Sequence, residues 1–111
     1  MISKKWEELK KEVLGEEFEL SVVFANDELM EQLNTKYRNK PKSTTVLSFL
    51  LSENLGEIFV NRPLVEKEAE SVGEEKERYM DYLFIHSLLH LKGYEHSDEM
   101  KEEEEKILNN L

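Results

Sequence analysis

The chain contains no cysteine. That excludes a disulfide framework and thiolate metal ligands, and it fits a reducing compartment. Proline occurs twice and glycine four times, each near an end of an element. No long apolar run is present. The longest, "YLFIHSLLHL", is about half of what a bilayer span needs. The amino terminus, "MISKKWEELKKEVLG", is charged and amphipathic and has no apolar core of a secretory signal. These absences predict a soluble, cytoplasmic protein without membrane partners. Histidine is scarce as well, with three copies in the chain.

The 111 residues suffice for one small domain, 1–111, and are too few for two. The formal net charge is −10, which at face value argues against nucleic acid. The charge is unevenly placed, however. "KYRNKPK" carries Lys36, Arg38, Lys40 and Lys42 with no acid among them, while "DEMKEEEEK" carries six acids and two lysines. A local basic patch can act on an acidic chain; the plainer alternative is that both runs are solvated surface.

Periodicity gives the elements. Residues 3–14 place Trp6, Leu9, Val13 and Leu14 near helical spacing, with Gly15 as a stop. "FELSVVFA" alternates Phe18, Leu20, Val22 and Phe24 on one face of a strand. Asn26 caps a helix that ends near Tyr37 and turns Leu29, Met30 and Leu33 inward. "TVLSFL" and "EIFVN" are further strands, joined by the turn "SENLG". Pro63 suits the first turn of a short helix through about Ser71, which Gly73 breaks. Glu74 to about Lys92 is the longest helix, apolar nearly all round and so central in the core. Ser97 caps a last helix, docked by Ile107, Leu108 and Leu111. The expected fold is α+β: a small mixed sheet of three or four strands packed with about five helices, the central helix carrying metal ligands.

All three histidines fall in "HSLLHLKGYEH". On a helix, His86 and His90 are i and i+4, so both rings leave one face a turn apart. Gly93 lets the chain turn sharply, and His96 can swing back to supply a third nitrogen. Three neutral nitrogen donors leave a tetrahedral zinc one open position, as in catalytic zinc sites. A water there would have its pKa lowered toward roughly 7. The metzincin protease signature H-E-x-x-H-x-x-G-x-x-H has the same spacing. Here Ser87 stands where that signature has its general-base glutamate, and serine does not titrate near neutrality.

The same block resembles the H-G-x-L-H-L-x-G-Y-D-H signature of the YbeY family, metal-dependent endoribonucleases associated with ribosomal RNA maturation. "LNTKYRNKPKSTTVLSFL" is similar to that family's L-N-x-x-Y-R, short linker and T-D-V-L-S-F. "LGEIFVN" is similar to its L-G-D-I-x-I strand. The three blocks run from residue 33 to residue 96 in the family's order. Ser87, Thr45, Glu95 and Glu57 depart from the family's glycine and three aspartates; Thr45 loses a carboxylate outright. The resemblance implies His86, His90 and His96 as ligands of one zinc ion per chain, and Arg38 and His86 as catalytic residues. A guanidinium can clamp two phosphate oxygens as charge develops on a phosphodiester. Alternatively, Arg38 is an ordinary cation at a helix C-terminus. Lys36, Lys40 and Lys42 could follow an RNA backbone by charge alone. Ser48 could line the cleft or bond to backbone. Tyr94 could stack on a base or pack the turn. Glu95 could orient an imidazole or face solvent.

The expected function is therefore a metal-dependent, single-strand-specific endoribonuclease of ribosomal RNA maturation and ribosome quality control, with RNA and the ribosome as partners and no action on DNA. Two alternatives are a zinc peptidase and a non-catalytic ribosome-binding factor with a bound metal.

Overall fold

The computed structural model describes residues 2–111. Eight elements follow one another among them. They are α1 (Lys4–Leu14), β1 (Glu19–Phe24), α2 (Asp27–Arg38), β2 (Val46–Ser52), β3 (Leu55–Val60), α3 (Arg62–Val72), α4 (Lys76–Lys92) and α5 (Asp98–Asn109). The fold is α+β, with five helices and one mixed three-stranded sheet among the described residues.

The strand order is β1-β3-β2. β3 pairs parallel with β1 and antiparallel with β2. The antiparallel pair is a hairpin tighter than the sequence implies: β2 runs to Ser52, so only Glu53 and Asn54 turn the chain. The parallel pair needs a crossover, and α2 supplies its helix. β3 is central and correspondingly buried at Gly56, Ile58 and Val60. Gly56 is required by a close approach rather than by a turn. A Cβ there would lie 2.9 Å from Phe18 Cζ and 3.2 Å from Leu91 Cδ1.

Helix α4 is the axis of the core. Met80, Leu83, Phe84, Ile85, Leu88, Leu89 and Leu91 are all buried, and α1, α3, α5 and β2 pack around them. Each such side chain fully removed from water contributes roughly 1.5–3 kcal/mol before entropic costs. Trp6 of α1 lies flat on Phe84, ring centroids 3.9 Å apart. Its Nε1–H donates to Asp81 Oδ1 at 2.8 Å, and Lys5 Nζ donates to Asp81 Oδ2 at 2.7 Å. The buried carboxylate is thereby fully partnered, as burial of a charge demands.

Two inward positions expected from periodicity lie outside. Phe24 is the last residue of β1 and 47% exposed. It reaches past the sheet edge toward Trp6, with the Arg62 guanidinium 5.1 Å from its ring. Leu111 lies beyond the end of α5 and is 53% exposed, while Ile107 and Leu108 dock as expected and Met100 joins them.

Candidate metal centre

The C-terminal half of α4 holds His86 and His90 one turn apart, and their Nε2 atoms stand 3.1 Å apart. Gly93 ends the helix with φ of 112°, a left-handed conformation that a Cβ would oppose. The turn that follows brings His96 back over the helix end. Its ring centroid is 4.6 Å from that of His90 and 5.1 Å from that of His86. One nitrogen from each ring lies within 4.8 Å of the others.

The hydrogen bonds behind the rings decide which nitrogens are available. His90 Nδ1 faces the Tyr94 carbonyl oxygen at 3.2 Å. A carbonyl can only accept, so Nδ1 carries the proton. His86 Nδ1 lies against the Glu104 carboxylate. The same reasoning puts a proton on that nitrogen. In two neutral rings, both Nε2 atoms then present lone pairs to each other at 3.1 Å, a repulsive contact unless a cation joins them. Nitrogens held about 2.0–2.1 Å from one tetrahedral zinc lie roughly 3.3 Å apart. The donor set and its spacing therefore fit that ion. Burial, followed by the neighbouring His86 and His96 rings, lowers the pKa of His90 below 6.5, so this ring is neutral at pH 7 and able to ligate.

The histidines open into a cleft of about 360 Å³ lined also by Asn34, Arg38, Lys40, Lys42, Ser48 and Ser87. Its basic wall is held by side chains the sequence did not single out. Asn39 ends α2 in the left-handed conformation. Buried Asn34 then donates from Nδ2 to the Lys42 carbonyl at 2.9 Å. At the far end, Asn61 Nδ2 donates to Asp27 Oδ1 at 2.6 Å, and Ser43 Oγ donates to the same oxygen at 3.0 Å. The linker from α2 to β2 is pinned at both ends, which aims Lys40 and Lys42 at the cleft.

Arg38 reaches the cleft from the end of α2. Its Nη2 donates to the Ser48 carbonyl oxygen at 3.1 Å, and its guanidinium lies 5.8 Å from the Phe49 ring centroid. Its remaining N–H groups make no hydrogen bond among the described residues. Ser48 thus lines the cleft and anchors Arg38 through its backbone. Lys36 does not line the cleft; its Nζ sits 5.2 Å over the exposed Tyr37 ring. Ser87 is buried and donates to the Leu83 carbonyl at 3.0 Å, an ordinary helix-internal bond.

The carboxylate that touches an imidazole is Glu104, where the sequence reading placed Glu95. Glu95 lies in the exposed turn after α4 and lines an adjacent, larger groove with Glu99, Glu102 and Glu103. Sequence neighbours in a turn diverge, whereas α5 packs directly on α4. A signal for Glu104 existed: it falls at i+4 from Met100 and i−3 from Ile107, on the apolar stripe of α5. The surrounding acidic run masked it.

Comparison with known proteins agrees with this geometry. The family model for endoribonuclease YbeY matches residues 2–111. The Heliobacterium modesticaldum endoribonuclease YbeY is 38% identical over 86% of this chain and 70% of its own length. The Staphylococcus carnosus endoribonuclease YbeY is 36% identical with the same coverage. Among solved structures, the solution structure of TM1509 from Thermotoga maritima superposes with a TM-score of 0.68 at 30% identity, covering 95% of this chain and 75% of that one. A family match over essentially the whole chain, with three imidazoles and an arginine converging on one cleft, places this protein in the endoribonuclease YbeY family.

Proposed function

We propose that the chain is a zinc-dependent, single-strand-specific endoribonuclease acting on ribosomal RNA in the cytoplasm, during ribosome maturation and quality control. The observation that carries this reading is the meeting of three histidines with Arg38, Lys40 and Lys42 in one cleft. His86, His90 and His96 would hold the ion through one nitrogen each. A bound zinc ion would supply Lewis acidity at neutral pH.

The chain's own residues do the rest. Lys40 and Lys42 attract the phosphodiester backbone and draw it across the cleft. Arg38 is anchored by the Ser48 carbonyl and keeps donors for two phosphate oxygens, so it stabilises charge as that charge develops at phosphorus. A cleft of about 360 Å³ admits one unpaired strand more readily than a duplex.

The peptidase alternative lacks support in the site. None of the residues lining the cleft is acidic, so no carboxylate stands ready as the proteolytic general base. No helix is long and apolar enough to cross a membrane among the described residues.

The test is cleavage of an end-labelled single-stranded RNA, with duplex RNA and single-stranded DNA as controls. Activity should vanish with EDTA and return with added zinc. Each of His86→Ala, His90→Ala and His96→Ala should lose both metal and cleavage. Parental cutting by a metal-stripped protein, or by the triple-alanine variant, would refute the reading.

A further inference from the structure

Glu104 is a carboxylate on the apolar stripe of α5, between Met100 and Ile107, and only 3% exposed. An ionised group in that position is costly unless partnered. Its partners are specific. One oxygen contacts His86 Nδ1. Tyr82, one turn before His86 on α4, senses the carboxylate as well: burial first, and then the Glu104 charge, raise its pKa above 10.

The consequence concerns which nitrogen of His86 carries the proton. An imidazole in water favours the Nε2–H tautomer, which cannot ligate through Nε2. A carboxylate at Nδ1 reverses that preference and leaves the Nε2 lone pair facing His90. The backbone carbonyl of Tyr94 does the same for His90. Among the described residues, no backbone carbonyl meets His86 Nδ1; α5 supplies the acceptor as a side chain.

We propose that Glu104 is the positioning residue of the metal centre: it fixes the tautomer and orientation of His86, so that docking of α5 is coupled to ligand readiness. The effect on metal affinity rests on the zinc reading given above. The effect on the ring does not.

Two measurements separate them. Ring nitrogen–proton correlation NMR of the metal-free protein, above the histidine titration range, reads the tautomer. The parent and Glu104→Gln should show His86 as Nδ1–H, since the amide oxygen also accepts. Glu104→Ala should shift toward Nε2–H. Zinc affinity, measured by competition with a chromogenic chelator, should fall about 10–100-fold in Glu104→Ala and less in Glu104→Gln. Glu105→Ala, which removes an exposed acid next along α5, should match the parent and control for net charge. If Glu104→Ala does not fold, Glu104→Gln carries the test: affinity equal to the parent's would refute a role for the carboxylate charge. Parental tautomer and affinity in Glu104→Ala would overturn the proposal. A parent protein that binds no zinc would defeat the metal reading, while the tautomer comparison would still decide whether Glu104 sets the ring.

Discussion

Arg38 shows how much a single position does in this cleft. It leaves α2 at its last residue, spends one N–H on the Ser48 carbonyl, and keeps its other donors within the same cleft as the histidines. Its planar fork can take two phosphate oxygens at once, which the single ammonium of lysine cannot. Arg38→Ala should therefore keep full zinc content, measured by elemental analysis, and lose about 10²–10³-fold in cleavage rate, the scale of one removed donor at a developing oxyanion. Arg38→Lys should bind RNA nearly as well as the parent yet recover little of the rate, because charge returns without the fork. Equal rates for Arg38→Lys and the parent would show that charge alone suffices. The three histidines were legible in the sequence because their spacing is local: i, i+4 and a glycine turn; Arg38 was singled out by the resemblance of its Y-R pair to the family's motif. Glu104 and Asn34 were not. Each acts through a partner that packing, not spacing, brings near, on α4 for one and along the α2–β2 linker for the other.

At the scale of elements, the junction of α3 and α4 carries a pH dependence of its own. The Tyr79 hydroxyl donates to Glu68 Oε1 at 2.5 Å. Burial first, then this bond and the Glu68 charge, push the Tyr79 pKa up to about 12 from 10.0. A group whose folded pKa is raised contributes stability that is complete below its unfolded value and is lost as pH climbs through the folded one. Denaturation midpoints of the parent should thus fall between pH 10 and 12. Tyr79→Phe should be about 1 kcal/mol less stable at pH 7, having lost one hydrogen bond, but its decline over that window should be shallower. Lys5 and Tyr82, whose pKa values are also raised, titrate in both proteins and cancel in the comparison. Parallel declines would show that Tyr79 does not titrate as placed. The helices and strands themselves were legible, since caps and periodicities are local. Asn26, Ser97 and Gly93 terminate helices as their residue types require. Strand order was not, because pairing of β3 between β1 and β2 depends on contacts far apart in the chain. The outward turn of Phe24 escaped for a similar reason: alternation names a face but not where the sheet ends.

Over the whole molecule, a net charge of −10 opposes approach to RNA, and the arrangement of that charge decides whether binding can occur. Seven of the 25 acids, Glu95, Asp98, Glu99 and Glu102 to Glu105, lie on α5 and the turn before it, whereas Arg38, Lys40 and Lys42 line the cleft with the histidines. A strand crossing the candidate site would be attracted on the α2–β2 side and repelled by the acids of α5. Few phosphates can be neutralised along such a path, so the salt dependence of binding should be shallow. For single strands, each neutralised phosphate contributes about 0.7 to the slope of log affinity against log salt. Replacing Lys40 and Lys42 together by Gln should reduce the magnitude of that slope by about 1.4, two contacts' worth, and weaken binding across RNA sequences alike. Lys36, which sits over Tyr37 outside the cleft, should change the slope little when replaced by Gln. Fluorescence anisotropy of a labelled single-stranded RNA, titrated at several potassium concentrations with the metal-free protein so that the strand stays intact, measures all three slopes. An unchanged slope in the Lys40/Lys42 variant, or a larger change from Lys36, would place the strand on a different face from the one the cleft defines.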